Sequence, residues 1–161
     1  MEQRIKNFHN VMGLRIIIAS TILGGIFIAV SFNSGQMMTV IAVCAAFFAL
    51  GAMFLCIGQI RERGLARLRA EGAAYDADSI DYAPVYWIST FWLRDYAVFR
   101  AYFSYTDHRG VLHATKTRWY AMKLDKKETH LTPLDNFGFS AKVYVNPGNL
   151  RDYAMELHVE D

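Results

Sequence analysis

Two long apolar runs dominate the first 60 positions of the chain, and an alternating pattern takes over after residue 72. Ile16 to Phe32 holds no charged side chain, and a helix over it would reach about 25 Å at about 1.5 Å per residue. Met37 to Ile60 would reach about 36 Å, against a bilayer hydrocarbon core of about 30 Å. The pattern predicts a transmembrane helical hairpin over residues 14–60, with helices at 14–32 and 37–60 joined by a short polar loop.

Small residues recur on both predicted helices at spacings that allow close backbone approach, which is how membrane helices associate. They can pack the two helices of one hairpin together, and their number leaves room for a second packing partner. We expect Gly24→Leu to weaken this packing. The predicted helix-packing residues are Ser20, Gly24, Gly25, Ala29, Ala45, Ala49 and Ala52.

The segments that flank the hairpin are basic. Residues 1–13 are predicted to form an amphipathic interfacial segment, with Ile5, Phe8 and Met12 at helical spacing. Residues 61–72 continue helically as a basic juxtamembrane helix that stops at Gly72. Its arginines are expected to meet anionic lipid headgroups, at about 1 kcal/mol each. These arginines are Arg61, Arg63, Arg67 and Arg69.

The charge distribution predicts an orientation. Residues 1–72 carry seven Arg and Lys against three Asp and Glu, whereas residues 73–161 carry ten against twelve, and the loop between the helices is uncharged. The positive-inside rule then predicts a multi-pass protein of the bacterial inner (plasma) membrane with both termini in the cytoplasm. We reject a cleaved signal peptide because the first apolar run is longer than a typical signal core.

Residues 73–161 predict a small antiparallel all-β domain, a sandwich or barrel, on the cytoplasmic side. Apolar and polar positions alternate in short runs that are separated by turn residues. The predicted strands are Tyr75–Tyr82, Tyr96–Tyr105, Val111–Met122, Phe139–Val145 and Tyr153–Val159, with turns at Asp107–Gly110 and Asn146–Asn149. Neither face of the run Val111–Met122 is cleanly apolar.

The segment Val85–Leu93 is aromatic and uncharged and follows Pro84. Trp and Tyr favour the membrane–water interface, so one interpretation is a loop that contacts headgroups or a partner protein. The other is an internal strand that fills the core of the sheet. The residues concerned are Tyr86, Trp87, Phe91 and Trp92.

Residues suited to chemistry are scattered. The sequence lacks H-x-x-x-H, C-x-x-C and G-x-S-x-G motifs, and the cluster of Asp76, Asp78 and Asp81 lacks the glycine and glutamate of a calcium loop. No Asp, Glu, Lys, Arg or His lies between Ile16 and Ile60, whereas ion and proton pathways need such groups within the membrane. We therefore predict no catalytic residue, no metal and no cofactor. The near-neutral soluble part disfavours nucleic acid as a partner.

The segment Val143–Leu150, VYVNPGNL, resembles the closing V-x-Y-[DN]-P-x-N-P pattern of a large uncharacterised family of small bacterial membrane proteins. Residues 96–110, YAVFRAYFSYTDHRG, resemble that family's Y-x-V-x-Y-x-F-x-D-x-x-G hairpin. Val145 replaces the family's tyrosine and Leu150 its second proline. The resemblance implies a compact β domain held at the membrane by transmembrane helices, with no catalytic residues to transfer.

These features favour a non-enzymatic membrane protein that acts as an accessory or regulatory subunit through protein–protein interaction. The expected partners are membrane lipids and other membrane protein subunits or further copies of this chain. Two alternatives stay open at this point. One is a homo-oligomeric ring or channel whose pore arises on assembly, and the other is an immunity protein against a membrane-active toxin.

Overall fold

A computed structural model describes residues 5–31, 36–125, 128–129, 134 and 137–160. Residues 33–35 of the predicted polar loop between the two helices lie outside these ranges. The chain divides into two compact units, one formed by Met1–Phe8 with Ile60–Asp161 and the other by His9–Gln59. The elements in chain order are β1 (Ile5–Asn7), α1 (Phe8–Ser31), α2 (Met37–Glu71), β2 (Ala73–Asp76), β3 (Ser79–Pro84), α3 (Tyr86–Phe91), β4 (Tyr96–Thr106), β5 (Leu112–Ala114), β6 (Arg118–Lys123), β7 (Gly138–Asn146) and β8 (Asn149–Glu160).

Two helices are long and apolar enough to cross a membrane. They are Phe8–Val30 and Met37–Glu71, whose most apolar 18-residue windows have mean hydropathies of 2.1 and 2.7. Only 22% and 6% of their most apolar windows are buried within the chain, so neither is covered like the core helix of a soluble protein. Apolar surface of this extent calls for a lipid environment or a protein partner.

Within the helical unit, α1 and α2 approach each other closely at several glycines. A Cβ atom on Gly13 would lie 2.8 Å from the carbonyl oxygen of Gly51 and 2.9 Å from the backbone nitrogen of Leu55. A Cβ on Gly24 would lie 3.1 Å from the Sγ of Cys44. Helix backbones in a membrane gain packing energy from such close approach, and any larger residue at Gly13 would prevent it.

The β domain consists of two antiparallel sheets. Sheet A has the strand order β1-β6-β4-β3, with β5 also paired to β4, and sheet B has the order β2-β7-β8. Along β4 the side chains of Phe99, Ala101 and Phe103 are fully buried, whereas those of Arg100 and Tyr102 between them are exposed. The two long apolar helices and the antiparallel β domain agree with the predicted fold class at this level.

Both sheets contribute to one core. The ring of Phe99 in sheet A lies 5.9 Å from that of Tyr120 in the same sheet and 5.7 Å from that of Phe139 in sheet B. Val143 and Val145 of β7 are fully buried in the same cluster. Burial raises the pKa of Tyr120 to about 12, so its side chain stays neutral within the core.

The N-terminal segment differs from the predicted interfacial segment 1–13. Residues 5–7 form β1, which pairs with β6 so that Ile5 faces Met122 and Asn7 faces Tyr120. Ile5 and Phe8 are only 5% and 7% exposed. Their spacing fits an amphipathic helix, but a three-residue strand satisfies the same short pattern once a partner strand is available. The β domain is therefore built from residues on both sides of the helical hairpin.

The predicted strand Tyr75–Tyr82 is divided between the two sheets. β2 pairs with β7 in sheet B, and β3 pairs with β4 in sheet A. The backbone changes sheets at two residues: the N–H of Ala77 donates to Ala141, and the N–H of Asp78 donates to Ser104. This crossing places the end of β2 beside the end of β4, where the cleft described next is found.

Candidate functional site

A cleft of about 250 Å³ opens where two turns of the β domain come together. The turn between β4 and β5 belongs to sheet A and that between β7 and β8 to sheet B, with β2 contributing the remaining wall. Its lining is partly aromatic, partly aliphatic and partly charged. The lining residues are Ala73, Tyr75, Tyr105, Asp107, His108, Arg109, Val145, Pro147 and Leu150.

The β4–β5 turn is held rigidly by Asp107. One carboxylate oxygen accepts the backbone N–H groups of Arg109 at 2.8 Å and Val111 at 3.0 Å, and the other lies 3.0 Å from Nε2 of His113. Gly110 adopts a φ of 77°, which only glycine takes without strain. The contact with His113, followed by the backbone N–H groups, lowers the pKa of Asp107 to about 2.

This lowered pKa predicts a pH dependence of stability. The ordinary pKa is 3.8, so the carboxylate stabilises the folded state above about pH 4, and this contribution is lost as the pH falls towards 2. Asp107→Asn keeps an oxygen acceptor but cannot titrate. We expect the difference in unfolding midpoint between the native protein and this variant to be constant just above pH 4 and to narrow below it. A difference that stays constant down to pH 2 would contradict the assignment.

Aromatic rings form the floor of the cleft. The rings of Tyr75 and Tyr105 lie 5.3 Å apart, and Tyr105 stacks on His113 at 5.2 Å. The hydroxyl of Tyr75 lies 3.2 Å from Nδ1 of His108, so these two polar groups satisfy each other. Burial, and after it the neighbouring Tyr75 and Asp107, raise the pKa of Tyr105. The floor is therefore a neutral and preorganised apolar surface.

The cleft edge combines an exposed apolar side chain with a cation. Leu150, which lines the cleft, is 48% exposed, and Val111 and Leu112 in the neighbouring β4–β5 hairpin are 50% and 66% exposed. The guanidinium of Arg109 has no hydrogen-bond or ion-pair partner among the described residues and so faces solvent. Because the carboxylate of Asp107 is occupied by its own turn, the surface offers apolar contact and a free positive charge, a combination suited to binding.

The aromatic segment that follows β3 is the short helix α3, not the internal strand considered as one interpretation. The N–H of Val85 donates to the carbonyl of Val98 at 2.8 Å, and the N–H of Val98 donates to Oγ of Ser89 at 2.9 Å. α3 thereby continues the edge of β4 where β3 stops. Ile88, Ser89 and Leu93 are buried.

The aromatic rings of α3, and that of Trp92 directly after it, are exposed to solvent. Tyr86, Trp87, Phe91 and Trp92 are 47%, 61%, 78% and 50% exposed. The helix has apolar residues on both sides, so the sequence pattern alone does not distinguish its buried side from its exposed side. Exposed aromatic clusters of this kind mark contacts with a membrane or with another protein.

The arginines predicted to meet lipid headgroups lie within the β-domain unit, and two of them contact β8. The guanidinium of Arg67 lies 3.0 and 2.7 Å from the two carboxylate oxygens of Asp152, and Arg69 pairs with Glu156. Arg61 is half-buried and Arg63 is exposed. These ion pairs join the end of α2 to sheet B.

The predicted helix-packing residues lie in different environments. Gly24 is buried against α2, and Ser20 is half-buried and donates its hydroxyl hydrogen to the carbonyl of Ile16. A Cβ on Gly25 would meet nothing within 4 Å. The remaining positions are on or near the outside of the unit: Ala29, Ala45 and Ala49 are exposed and Ala52 is half-buried.

Two groups of residues with structural roles were absent from the predicted sites. Gly13 and Gly51 form a close backbone contact between α1 and α2, and their only sequence signal is an isolated glycine within an apolar run. The cleft brings together residues that are distant in sequence, among them Tyr75, Arg109 and Leu150. The only sequence features that point to it are the two turn motifs at 107–110 and 146–149. Within the described ranges, no group of three or more His, Cys, Asp or Glu side chains is arranged to hold a metal ion.

In comparisons with known proteins, no family model, no curated protein and no solved structure matches this chain.

Proposed function

We propose that this protein is a non-enzymatic integral protein of the bacterial inner membrane. In this proposal α1 and α2 anchor the chain, and the cytoplasmic β domain binds another protein, so that the molecule acts as an accessory or regulatory subunit. The resemblance of residues 96–110 and 143–150 to the motifs of a family with membrane-held β domains is consistent with this role. The observation that carries the binding function is the rigid cleft, in whose lining Leu150 and Arg109 are exposed to solvent.

The pairing of β1 with β6 supports a hairpin topology. β1 precedes the first apolar helix and β6 follows the second, yet the two are neighbours in one sheet. Segments on both flanks of the helices can share a sheet only on the same side of a membrane. The arginine-rich flank then favours the cytoplasm for that side. Protease added to inside-out vesicles, but not to right-side-out vesicles, should therefore digest the β domain.

The binding role is tested by cross-linking in native membranes, followed by purification in mild detergent. We expect the native chain to recover a defined partner. Arg109→Ala combined with Leu150→Ser should lower its yield about tenfold or more, which is the loss expected when an interface loses an anchor residue.

Tyr102→Ser is the matched control, because Tyr102 is 44% exposed on β4 but does not line the cleft. Its partner yield should equal that of the native chain. Recovery of a lone monomer at every expression level, or equal partner loss in the control and the cleft variant, would contradict the proposal.

A second candidate, the homo-oligomeric ring or channel, is favoured by the outer face of α2. Ala45, Ala49, Ala52 and Cys56 recur at spacings of four, three and four residues, so they share one face, and Cys56 is exposed. If a second copy packs on this face, oxidation in the membrane should give a disulfide dimer through Cys56 that Cys56→Ser abolishes. Absence of this dimer, together with a single-chain mass in native mass spectrometry, would exclude that packing.

A further inference from the structure

We propose that the exposed aromatic face of α3, formed by Tyr86, Trp87, Phe91 and Trp92, lies in the headgroup layer of the bilayer that holds α1 and α2. It would act as a third membrane attachment that fixes how the β domain is oriented. This inference rests on the proposed membrane insertion of the two helices. It is independent of what the cleft binds.

The chemistry of α3 suits the membrane interface. No charged residue occurs from Ala83 to Leu93. The polar side chains of the helix are already used, because Ser89 accepts from Val98 and Thr90 donates to the carbonyl of Tyr86 at 2.9 Å. The exposed rings of Tyr and Trp carry a polar tip on an apolar body, and such side chains concentrate where one end meets lipid and the other meets water.

The place where α3 joins sheet A also suits attachment to the bilayer. Asn7, the last residue before α1, pairs with Tyr120, which in turn pairs with Phe99. Val98 precedes Phe99 in β4. Its carbonyl accepts the N–H of Val85 and its own N–H donates to Oγ of Ser89, and these two hydrogen bonds attach α3 to the sheet. The start of α1 and the attachment of α3 therefore lie at the same level of the sheet, two strand spacings or about 10 Å apart. Phe8 follows Asn7 in the chain, and the predicted membrane span begins six residues later, so the chain leaves sheet A for the bilayer close to the attachment of α3.

The cleft lies at the other end of β4. Nine residues separate Val98 from Asp107, which corresponds to about 30 Å along a strand. Attachment through α3 would therefore leave the cleft open to the cytoplasm. The two surfaces have separate roles in this arrangement, one for lipid and one for a protein partner.

The charge next to α3 indicates how the attachment works. The exposed Arg94 follows the helix, and its Nε lies 3.4 Å from the carbonyl of Thr90, whereas Asp95 follows directly. The local net charge is therefore small, and insertion depends on the rings more than on attraction to anionic lipid. We expect the attachment to persist when phosphatidylglycerol is replaced by a neutral lipid.

The test uses tryptophan as a reporter, because the chain contains three tryptophans, Trp87, Trp92 and Trp119. Trp119→Phe leaves both remaining reporters on α3. The full chain carrying this change is reconstituted into phosphatidylethanolamine and phosphatidylglycerol vesicles, with and without lipid brominated near the headgroup. We expect brominated lipid to quench the emission by about half or more, and aqueous iodide to quench it weakly.

The control moves the reporter to the β4–β5 hairpin, at the end of β4 remote from α3. Trp87→Phe, Trp92→Phe and Trp119→Phe are combined with Leu112→Trp, at a position that is 66% exposed. Its emission should be quenched by iodide and not by brominated lipid. This pair of chains compares the two ends of β4 in the same vesicle.

Each outcome bears on the proposal. Quenching of the α3 reporters by iodide and not by brominated lipid would overturn it, even if the helices remain inserted. Iodide protection in native membranes that is absent from pure vesicles would also overturn it, since a protein would then cover α3. Release of the chain by alkaline carbonate would overturn both this inference and membrane insertion. Partner loss in the cleft variants is measured separately and tests only the binding role.

Discussion

Replacing Phe99 by alanine is expected to lower the free energy of unfolding of the β domain by about 3–5 kcal/mol, the usual cost of removing a fully buried aromatic side chain. Phe99 has no exposed surface and contacts rings of both sheets, Tyr120 in sheet A and Phe139 in sheet B. Its loss therefore leaves a cavity between the sheets in addition to the lost transfer energy.

The measurement is thermal or urea unfolding in detergent of the full chain carrying Trp87→Phe and Trp92→Phe, followed by the fluorescence of the remaining Trp119. This ring lies on the adjacent strand and 5.3 Å from that of Phe8, so it reports on sheet A. Tyr102→Ala is the matched control, because it removes an aromatic ring from the exposed side of the same strand. Its effect should stay within about 1 kcal/mol, the span of strand propensities. Equal effects of the two substitutions would show that Phe99 is not a core residue.

The strand β4 illustrates what alternation alone can predict. The run 96–105 predicts a strand with one buried face, and β4 occupies Tyr96–Thr106 with that alternation. Alternation is reliable here because the odd positions face a core and the even positions mostly face solvent. The turn 107–110 was equally readable, since Asp and Gly have specific roles in turn geometry.

The predicted strand Val111–Met122 shows where the alternation of apolar and polar positions is insufficient. Ser104 pairs with Ala114 in β5, but Ala101 pairs with Arg118 in β6, so the returning chain contains one extra residue. This bulge exchanges the two faces: Thr115 is buried before it and Tyr120 after it. When residues 111–122 are treated as one uninterrupted strand, buried and exposed positions are mixed on both faces, so neither face is apolar. The hydroxyl of Thr115, bonded to the backbone of Phe103, fixes the irregularity and is invisible to hydrophobic periodicity.

The candidate surfaces were less predictable than the strands for a different reason. The cleft needs Tyr75, Arg109 and Leu150 to meet, and they meet only because the chain changes sheets after β2 and two turns end at the same edge. Local sequence carries no information on that juxtaposition. The aromatic segment was recognisable by composition, but its helical form depends on the backbone of Val98, which bonds to Val85 and Ser89. A contact between residues nine or more positions apart decides which rings remain exposed.

Replacing Gly13 by leucine should separate α1 from α2 and cost about 1–3 kcal/mol of helix packing. The new Cβ would meet backbone atoms of Gly51 and Leu55, which cannot move as a side-chain tip can. Gly24→Leu should cost less, because its Cβ would meet the side chain of Cys44 at 3.1 Å. Gly25→Leu is the control, since its Cβ would meet nothing within 4 Å and gains the same helix propensity.

Hydrogen exchange of α1 and α2 amides in mild detergent measures this series. Opening of the hairpin exposes apolar faces to detergent and lets paired helices bend and fray, so exchange should be fastest for Gly13→Leu and intermediate for Gly24→Leu. Gly25→Leu should match the native chain unless its outward face packs on another copy in the micelle. Packing against another copy can be recognised, because the change in exchange rate caused by Gly25→Leu would then depend on protein concentration, whereas that caused by Gly13→Leu would not. Equal exchange in all three variants at every concentration would mean that glycine contacts do not hold the two helices together.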